Sequence, residues 1–314
     1  MEDTMGIVVV GAVYVDVKGF PDDVYLPTGR NAGKVEFVHG GVGRNVAEDI
    51  ANVELRPTFV SLVDDSAEGQ EVIRQLQRHK VNTDYILSVP NDMGMWLAVF
   101  DECGDLAGSI SKRPELEPML ALINEKGDEI FKDCDAIVVE MDIDKEIVKA
   151  AINFAEKYGK KVFAVVANMS IASQRRDLLQ SIDCFVCNEL EAGILFVDDF
   201  TGYEPDALAE ELFRRVISAN IPSMVVTLGS RGAVYADING DRGFFPAHKV
   251  NVRDTTGAGD AFCAGVSMGL TYGKNMREAV EIGTRLAASV ITVSENVCPR
   301  FRPKELGLDI EVED

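Results

Sequence analysis

The stretch Asp254-Thr255-Thr256-Gly257-Ala258-Gly259-Asp260-Ala261-Phe262 holds the residue types and spacing most suited to chemistry. Gly257 and Gly259 strip side chains from a tight turn, so backbone N–H groups can face one point. The turn predicts a helix from about Gly257 to Thr271. A helix N-terminus has unsatisfied donors and a partial positive charge, and it holds anions. Asp260 falls in the first turn, where that field should keep its carboxylate ionised. A carboxylate beside an anion hole suits phosphoryl transfer to an alcohol. The carboxylate takes the hydroxyl proton and the N–H groups hold the charge on the transferring group. The plainer reading is a capped helix behind a glycine turn. For a lone Gly-x-Gly-Asp that reading would suffice.

Other stretches offer partners. Asp16 follows the apolar run Ile7–Val13, at the carboxyl end of a predicted strand, where ligands bind in open α/β sheets. It is a candidate for substrate hydroxyls or a plain loop carboxylate. In His39-Gly40-Gly41-Val42-Gly43-Arg44-Asn45 the glycines admit a ligand close to the backbone. A helix starts within the motif and places Asn45 to give and take hydrogen bonds with a hydroxyl pair. Asn188 and Glu191, three apart at a strand-to-helix junction, share one face. Their oxygens suit Mg²⁺ through its waters; equally, they suit a capped helix start. Glu140 and Asp142 end another strand, facing substrate or solvent. Cys184-x-x-Cys187 lies in a predicted strand that turns the two thiols to opposite faces, and no second such pair accompanies it, against a metal or redox role.

The elements that must position these groups alternate. Strands at 135–140, 161–166 and 182–187 are followed by helices at 144–158, about 171–180, and from near Asn188. Such order gives a doubly wound, mostly parallel α/β sheet covered on both faces. Strands at 58–63 and 221–228, a hairpin through 233–237 and 243–246, and helices at 67–80 and 276–293 complete it. Extended segments at about 14–38 and 92–113, the second a hairpin, predict a small β-sheet lid that excludes water from the substrate. All this is expected within one domain spanning 1–314. Exposed lid edges predict a homodimer through the lid.

Composition narrows the partners. The chain has 314 residues, 46% hydrophobic, with a net charge of -21 and a pI near 4.5. That charge repels nucleic-acid backbones and anionic membrane surfaces. No apolar run is long enough to span a bilayer. The start, Met1 to Gly6, lacks a basic signal-peptide region, and Glu311 to Asp314 read as a solvated acidic tail. Six scattered cysteines suit free thiols in the cytoplasm. The three histidines are far apart, against a histidine metal site. There is no Gly-x-x-x-x-Gly-Lys-Ser/Thr loop, no Gly-x-Gly-x-x-Gly after the first strand and no His-Arg-Asp set.

The full nonapeptide around Asp260 resembles the signature of the ribokinase-like (PfkB) carbohydrate kinase family, and Gly40-Gly41-Val42-Gly43-Arg44-Asn45 resembles its second signature, in the right order. The resemblance covers Ile7 to about Pro303. It implies an ATP-dependent kinase acting on a hydroxymethyl group of a sugar-like substrate. It implies Asp260 as base, with the backbone of Gly257, Ala258 and Gly259 as anion hole. It places Asp16, Gly41 and Asn45 on substrate hydroxyls. Thr227, Gly229 and Gly232, in a Thr-x-Gly-x-x-Gly turn, and Asn188 fall on ATP phosphates. Asn188 and Glu191 fall near Mg²⁺, and Asp254 and Thr256 where some relatives bind K⁺. Asn296 is the candidate for adenine. Within the family, Asn31–Val35, Gly40–Glu48 and Met93–Val99 resemble pseudouridine kinases, which implies 5'-phosphorylation of pseudouridine. Asn168-Met169-Ser170 departs from their Pro-Val-Ser. Tyr14 stands where ribokinase has Asn, which points away from free ribose. Another sugar or nucleoside kinase of the family, of the ribokinase, fructokinase or 2-keto-3-deoxygluconate kinase type, is the alternative; a non-catalytic sugar- or nucleoside-binding regulator is the reading from another class.

Overall fold

The strand β1 (Ile7–Val10) is a fully buried run of Ile and Val, the composition of a strand covered on both faces. A computed structural model describes residues 6–166 and 168–310; the expected acidic tail and the start of the chain fall outside the described residues. In chain order β1 is followed by β2 (Tyr14–Pro21), β3 (Gly33–Gly40), α1 (Val42–Asn52), β4 (Thr58–Val63), α2 (Ala67–Arg78), β5 (Ile86–Ser88), β6 (Gly94–Phe100) and β7 (Leu106–Lys112). Next come α3 (Glu117–Phe131), β8 (Ala136–Glu140), α4 (Lys145–Tyr158), β9 (Val162–Val165), α5 (Met169–Ala172), α6 (Arg176–Leu179), β10 (Cys184–Asn188) and α7 (Glu189–Phe196). The chain closes with α8 (Pro205–Ala219), β11 (Ser223–Thr227), β12 (Gly232–Asp237), β13 (Arg242–Pro246), α9 (Ala258–Thr271) and α10 (Met276–Val290).

Nine strands form the main sheet, in the order β13-β12-β11-β10-β9-β8-β1-β4-β5. Pairing is parallel from β5 to β11, and β12 and β13 add an antiparallel edge. The order reverses at β1, which lies between β4 and β8. A crevice opens beyond the carboxyl ends of strands at such a reversal. Alternation along β1 separates two apolar layers. Val8 and Val10 join the layer that includes α3, α4, α7 and α8. Ile7 and Val9 join the one that includes α1, α2, α9 and α10. Thus α1 and α9 share a face of the sheet, although their sequences are distant.

A separate four-stranded sheet, in the order β3-β2-β6-β7, stands over the crevice as the lid. Its register places Val38, Asp16, Trp96 and Ser111 side by side in one row. Neighbours in such a row point to the same face. The adjacent row, Phe37, Val17, Leu97 and Ile110, therefore faces the other way.

The expected helix at 171–180 is instead α5, a short 3₁₀ turn at 173–175, and α6. Asn168 Oδ1 accepts from Ser170 N and Ser173 Oγ donates to the Ser170 carbonyl oxygen there, side-chain bonds to local backbone that compete with a continuous helix. The helices α3 and α8 were not anticipated. Both carry a proline in the first turn, the signal that marks their starts. The last long helix ends at Val290, earlier than the expected 293.

Candidate active site

Gly257 caps α9 with φ of 80°, and a Cβ there would sit 1.9 Å from the Asn296 carbonyl oxygen. Only glycine accepts both the left-handed conformation and that contact. Asp254 Oδ1 accepts from Thr256 N at 2.9 Å and Thr256 Oγ1 at 2.8 Å, closing the preceding turn on itself. The start of α9 is thereby held at one place, where Ala258 N also donates to the Thr255 carbonyl oxygen at 3.3 Å. Gly259 would meet nothing within 4 Å if it had a Cβ, so space lies open before the turn.

Two cavities meet at this helix start. One, of about 490 Å³, lies between lid and sheet. It is lined by Asp16, Gly41 and Asn45, by Glu140 and Asp142, and by Thr256 and Asp260. The other, of about 550 Å³, is lined by Thr227, Gly229 and Gly232, by Thr255, Ala258 and Gly259, by the α10 residues Thr284, Ala287 and Ala288, and by Ile291 just past that helix. The expected substrate residues thus fall in the first cavity, and of the expected phosphate residues Thr227, Gly229 and Gly232 line the second while Asn188 lines neither. The helix start holds Thr256 and Asp260 toward one and Ala258 and Gly259 toward the other.

Asn45 Nδ2 donates to Asp260 Oδ2 at 2.6 Å. The residues are 215 apart in sequence and meet because α1 packs on α9. Asn45 Oδ1 is buried with no donor among the described residues, which leaves it able to accept from a substrate hydroxyl. Gly41, with φ of 100°, caps α1 where a Cβ would sit 2.4 Å from the Ala12 carbonyl oxygen. Glu140 at the end of β8 clamps the crevice. Its Oε2 accepts from Ala12 N at 3.0 Å and Gly43 N at 3.2 Å. It thereby ties the end of β1 to the start of α1.

The expectation that the helix field keeps Asp260 ionised is corrected. Burial pushes its carboxyl up to about 7, against the lowering effects of the Asn45 hydrogen bond and of nearby Arg44; Glu191 adds to the rise. Loss of water outweighs the helix end at this depth. A carboxylate with this affinity for protons is a better base near neutral pH than an ordinary aspartate. Glu140 is likewise pushed up, by burial and then by Asp142, and Asp16 is raised by burial.

Asn188 and Glu191 form a reciprocal cap at the start of α7. Asn188 Oδ1 accepts from Glu191 N at 2.9 Å, and Glu191 Oε2 accepts from Asn188 N at 2.7 Å. The capping geometry weighed from sequence is therefore present. Asn188 also stands directly beside Thr227 across the β10–β11 register, at the same sheet edge. Burial, then the Asp142 charge, raises the Glu191 carboxyl. No group of three or more His, Cys, Asp or Glu able to hold a metal ion occurs among the described residues. The Asn188 and Glu191 oxygens stand together at the carboxyl end of β10, a donor set of the chemistry that holds Mg²⁺ through its waters.

Asn296 is the residue that sequence offered for adenine. It lines the first cavity and not the second; its Nδ2 donates to the His39 carbonyl oxygen at 2.8 Å, and its Oδ1 accepts from Arg44 at 3.1 Å. Arg44 turns away from the substrate cavity into a buried pair with Glu48 at 2.5 Å, while Val42 lines that cavity. Sequence reasoning did not single out Trp96, Ser111 or Arg113 as site residues. Alternation along the lid strands was the signal that could have found them. Cys184 and Cys187 lie in opposite apolar layers, and all six cysteines are free.

Two cavities flank the start of α9, and Asp260 lines the one beneath the lid. Residues 5–297 match the description "pfkB family carbohydrate kinase". The chain belongs to the pfkB carbohydrate kinase family. This pfkB kinase is a phosphotransferase with an alcohol acceptor, of the nucleoside and sugar kinase group. It is 34% identical over 294 residues to the guanosine-inosine kinase of Exiguobacterium acetylicum, covering 92% of this chain and 95% of that one. It is 28% identical over 275 residues to the pseudouridine kinase of Escherichia coli K12, covering 87% and 86%. Among solved structures, the Arabidopsis thaliana ribokinase complexed with ribose and ATP superposes with a TM-score of 0.82 at 22% identity, covering 98% of this chain and 99% of that one. The doubly wound fold with its lid is that of the ribokinases. No helix among the described residues is long and apolar enough to cross a membrane.

Proposed function

We propose that this kinase transfers the γ-phosphoryl group of ATP to the 5'-hydroxyl of a ribonucleoside, with guanosine and inosine as first substrates and pseudouridine second. The observation that carries this is the place of Asp260, hydrogen-bonded to Asn45 where two cavities meet. The greater identity to the guanosine-inosine kinase moves purine nucleosides ahead of the pseudouridine expected from local motifs. Asp16, Gly41 and Asn45 would hold ribose hydroxyls, with the 5'-hydroxyl against Asp260. ATP would occupy the second cavity, its phosphates toward Thr227, Gly229 and Gly232 and its adenine toward Ala287 and Ala288. Asp260 would remove the hydroxyl proton as the backbone N–H groups of Gly257, Ala258 and Gly259 take up the charge of the transferring group. Asn188 and Glu191 would hold Mg²⁺, which would supply charge neutralisation for the phosphates. A K⁺ ion against Asp254 and Thr256 would stiffen the same turn.

The apolar outer row of the lid supports a homodimer through it. Phe37 is 63% exposed and Ile110 70%. Free thiols suit the reducing cytoplasm.

The test is ADP release with Mg²⁺-ATP against guanosine, inosine, pseudouridine, uridine, ribose, fructose and 2-keto-3-deoxygluconate. Turnover led by guanosine or inosine supports the proposal. Turnover led by pseudouridine restores the motif-based reading. Turnover of a sugar alone, or binding without turnover, sinks the nucleoside assignment.

A further inference from the structure

The lid carries a group that the phosphoryl-transfer machinery does not use. Arg113 follows β7 and lines the substrate cavity with Trp96, Ser111 and Tyr14. Its side chain is 52% exposed. It donates from one terminal nitrogen to the Asp142 carbonyl oxygen at 2.8 Å, and that nitrogen is 4.0 Å from Asp142 Oδ2. It also hydrogen-bonds Tyr14. These contacts hold the guanidinium at the cavity wall. A guanidinium has five N–H donors and no acceptor, so the anchored group can still donate to a ligand. Asp142 is almost fully buried and lines the same cavity. Its carboxylate oxygens accept.

A donor-only group therefore stands about 4 Å from an acceptor-rich one. That pair is complementary to an amide edge, a carbonyl oxygen beside a ring N–H. Guanine and hypoxanthine present it as O6 with N1–H. Uracil and pseudouracil present it as O4 with N3–H. Adenine and cytosine reverse it, with an amino donor beside an unprotonated ring nitrogen. Against those bases Arg113 would meet a donor and Asp142 an acceptor, leaving polar groups unpaired. Trp96 belongs to the inward row with Asp16 and offers an aromatic face against which a base can stack.

We infer that Arg113 and Asp142 select the base: this kinase accepts nucleosides whose base presents a carbonyl beside a ring N–H and rejects those whose base presents an amino group beside an unprotonated ring nitrogen. The inference rests on the nucleoside reading above. Arg113 and Asp142 are specificity residues, apart from the chemistry at Asp260.

The experiment compares kcat/KM for inosine and adenosine, and for uridine and cytidine, with ribose as a sugar control. It uses the wild-type chain, Arg113→Gln and Asp142→Asn, each checked by melting temperature. The wild type should favour inosine over adenosine by at least ~10²-fold, and both variants should compress that ratio to within about tenfold, the scale set by losing one paired polar contact. Equal use of inosine and adenosine by the wild type overturns the base selection alone. An equal fall on both nucleosides in the two variants, with the ratio kept, assigns Arg113 and Asp142 a structural role and also overturns it. Turnover of ribose but of no nucleoside overturns the nucleoside reading, and the selection with it.

Discussion

Asp260→Asn should sharply lower the activity and stabilise the fold at the same time. The substitution keeps the shape, and the new amide oxygen can still accept from Asn45 Nδ2, so packing is conserved. What changes is the proton affinity. The Asp260 carboxyl is held at about 7 against an ordinary 3.8, chiefly by burial. The native state then keeps this proton to higher pH than the unfolded chain does. Between about pH 4 and pH 7 the native state binds more protons, so this group's contribution to stability falls as pH rises. A shift of about 3 units at about 1.4 kcal/mol per unit bounds the cost of the ionised group near 4 kcal/mol. Asp260 keeps part of its surface open to the cavity, and halving for that water gives about 2 kcal/mol. Asparagine removes the cost. At pH 8 the variant should melt about 3–6 °C higher than the wild type, and the gain should shrink by about half near pH 5.5. Turnover should fall by about 10²–10⁴-fold. In the wild type, kcat/KM should rise about tenfold per pH unit below about pH 7 and level off above it. Thermal unfolding by circular dichroism at several pH values and coupled ADP release provide both readouts. A variant that melts lower at pH 8, or that retains turnover, would refute the reasoning.

Gly257→Ala should lower turnover more than ~10²-fold and melt several degrees lower, because its Cβ meets the Asn296 carbonyl at 1.9 Å and its φ is 80°; Gly259→Ala, with nothing within 4 Å, should melt like the wild type while raising the KM for ATP. Ala288→Leu narrows the second cavity and should raise the KM for ATP about tenfold, leaving that of the nucleoside within twofold, by initial rates. Glu191→Gln keeps an oxygen for the α7 cap but loses charge, so the Mg²⁺ concentration for half-maximal rate should rise about tenfold with little change in melting. Phe37→Glu together with Ile110→Lys places charge on the exposed lid row and should halve the mass seen by light scattering, if that row joins two copies.

The fold was legible where one periodicity governed a segment. The buried runs at 7–10, 136–140 and 223–227 could be read because a parallel strand covered on both faces admits little except Val, Ile and similar residues. The helix at 171–180 was misread because the alternation of strands and helices called for one there while the Asn168 and Ser173 side chains bind the Ser170 backbone. At the site, Asp260 and Asn45 could be proposed from glycine turns at helix starts, a local signal. The 2.6 Å contact between them could not, because it depends on α1 packing on α9. The same limit explains the ionisation of Asp260. A helix N-terminus is visible in sequence, whereas depth of burial is a property of the assembled layers. The surroundings of Asn296 were hidden for a related reason. It lies beyond α10 in a segment that returns behind Gly257, a path that no local pattern announces.

The lid's hydrogen bonds close among β3, β2, β6 and β7, apart from the nine-stranded sheet. Residues such as Trp96, Ser111 and Arg113 can therefore change without disturbing a main-sheet strand. Asp260 and the α9 turn enjoy no such freedom, since they are wedged against Asn45 and Asn296. The architecture separates a part that can vary cheaply from a part that cannot. A lineage built this way can explore new acceptors by redecorating one small face while inheriting its phosphoryl-transfer apparatus unchanged. Related chains of low overall identity are then best sorted by the inward residues of their lids.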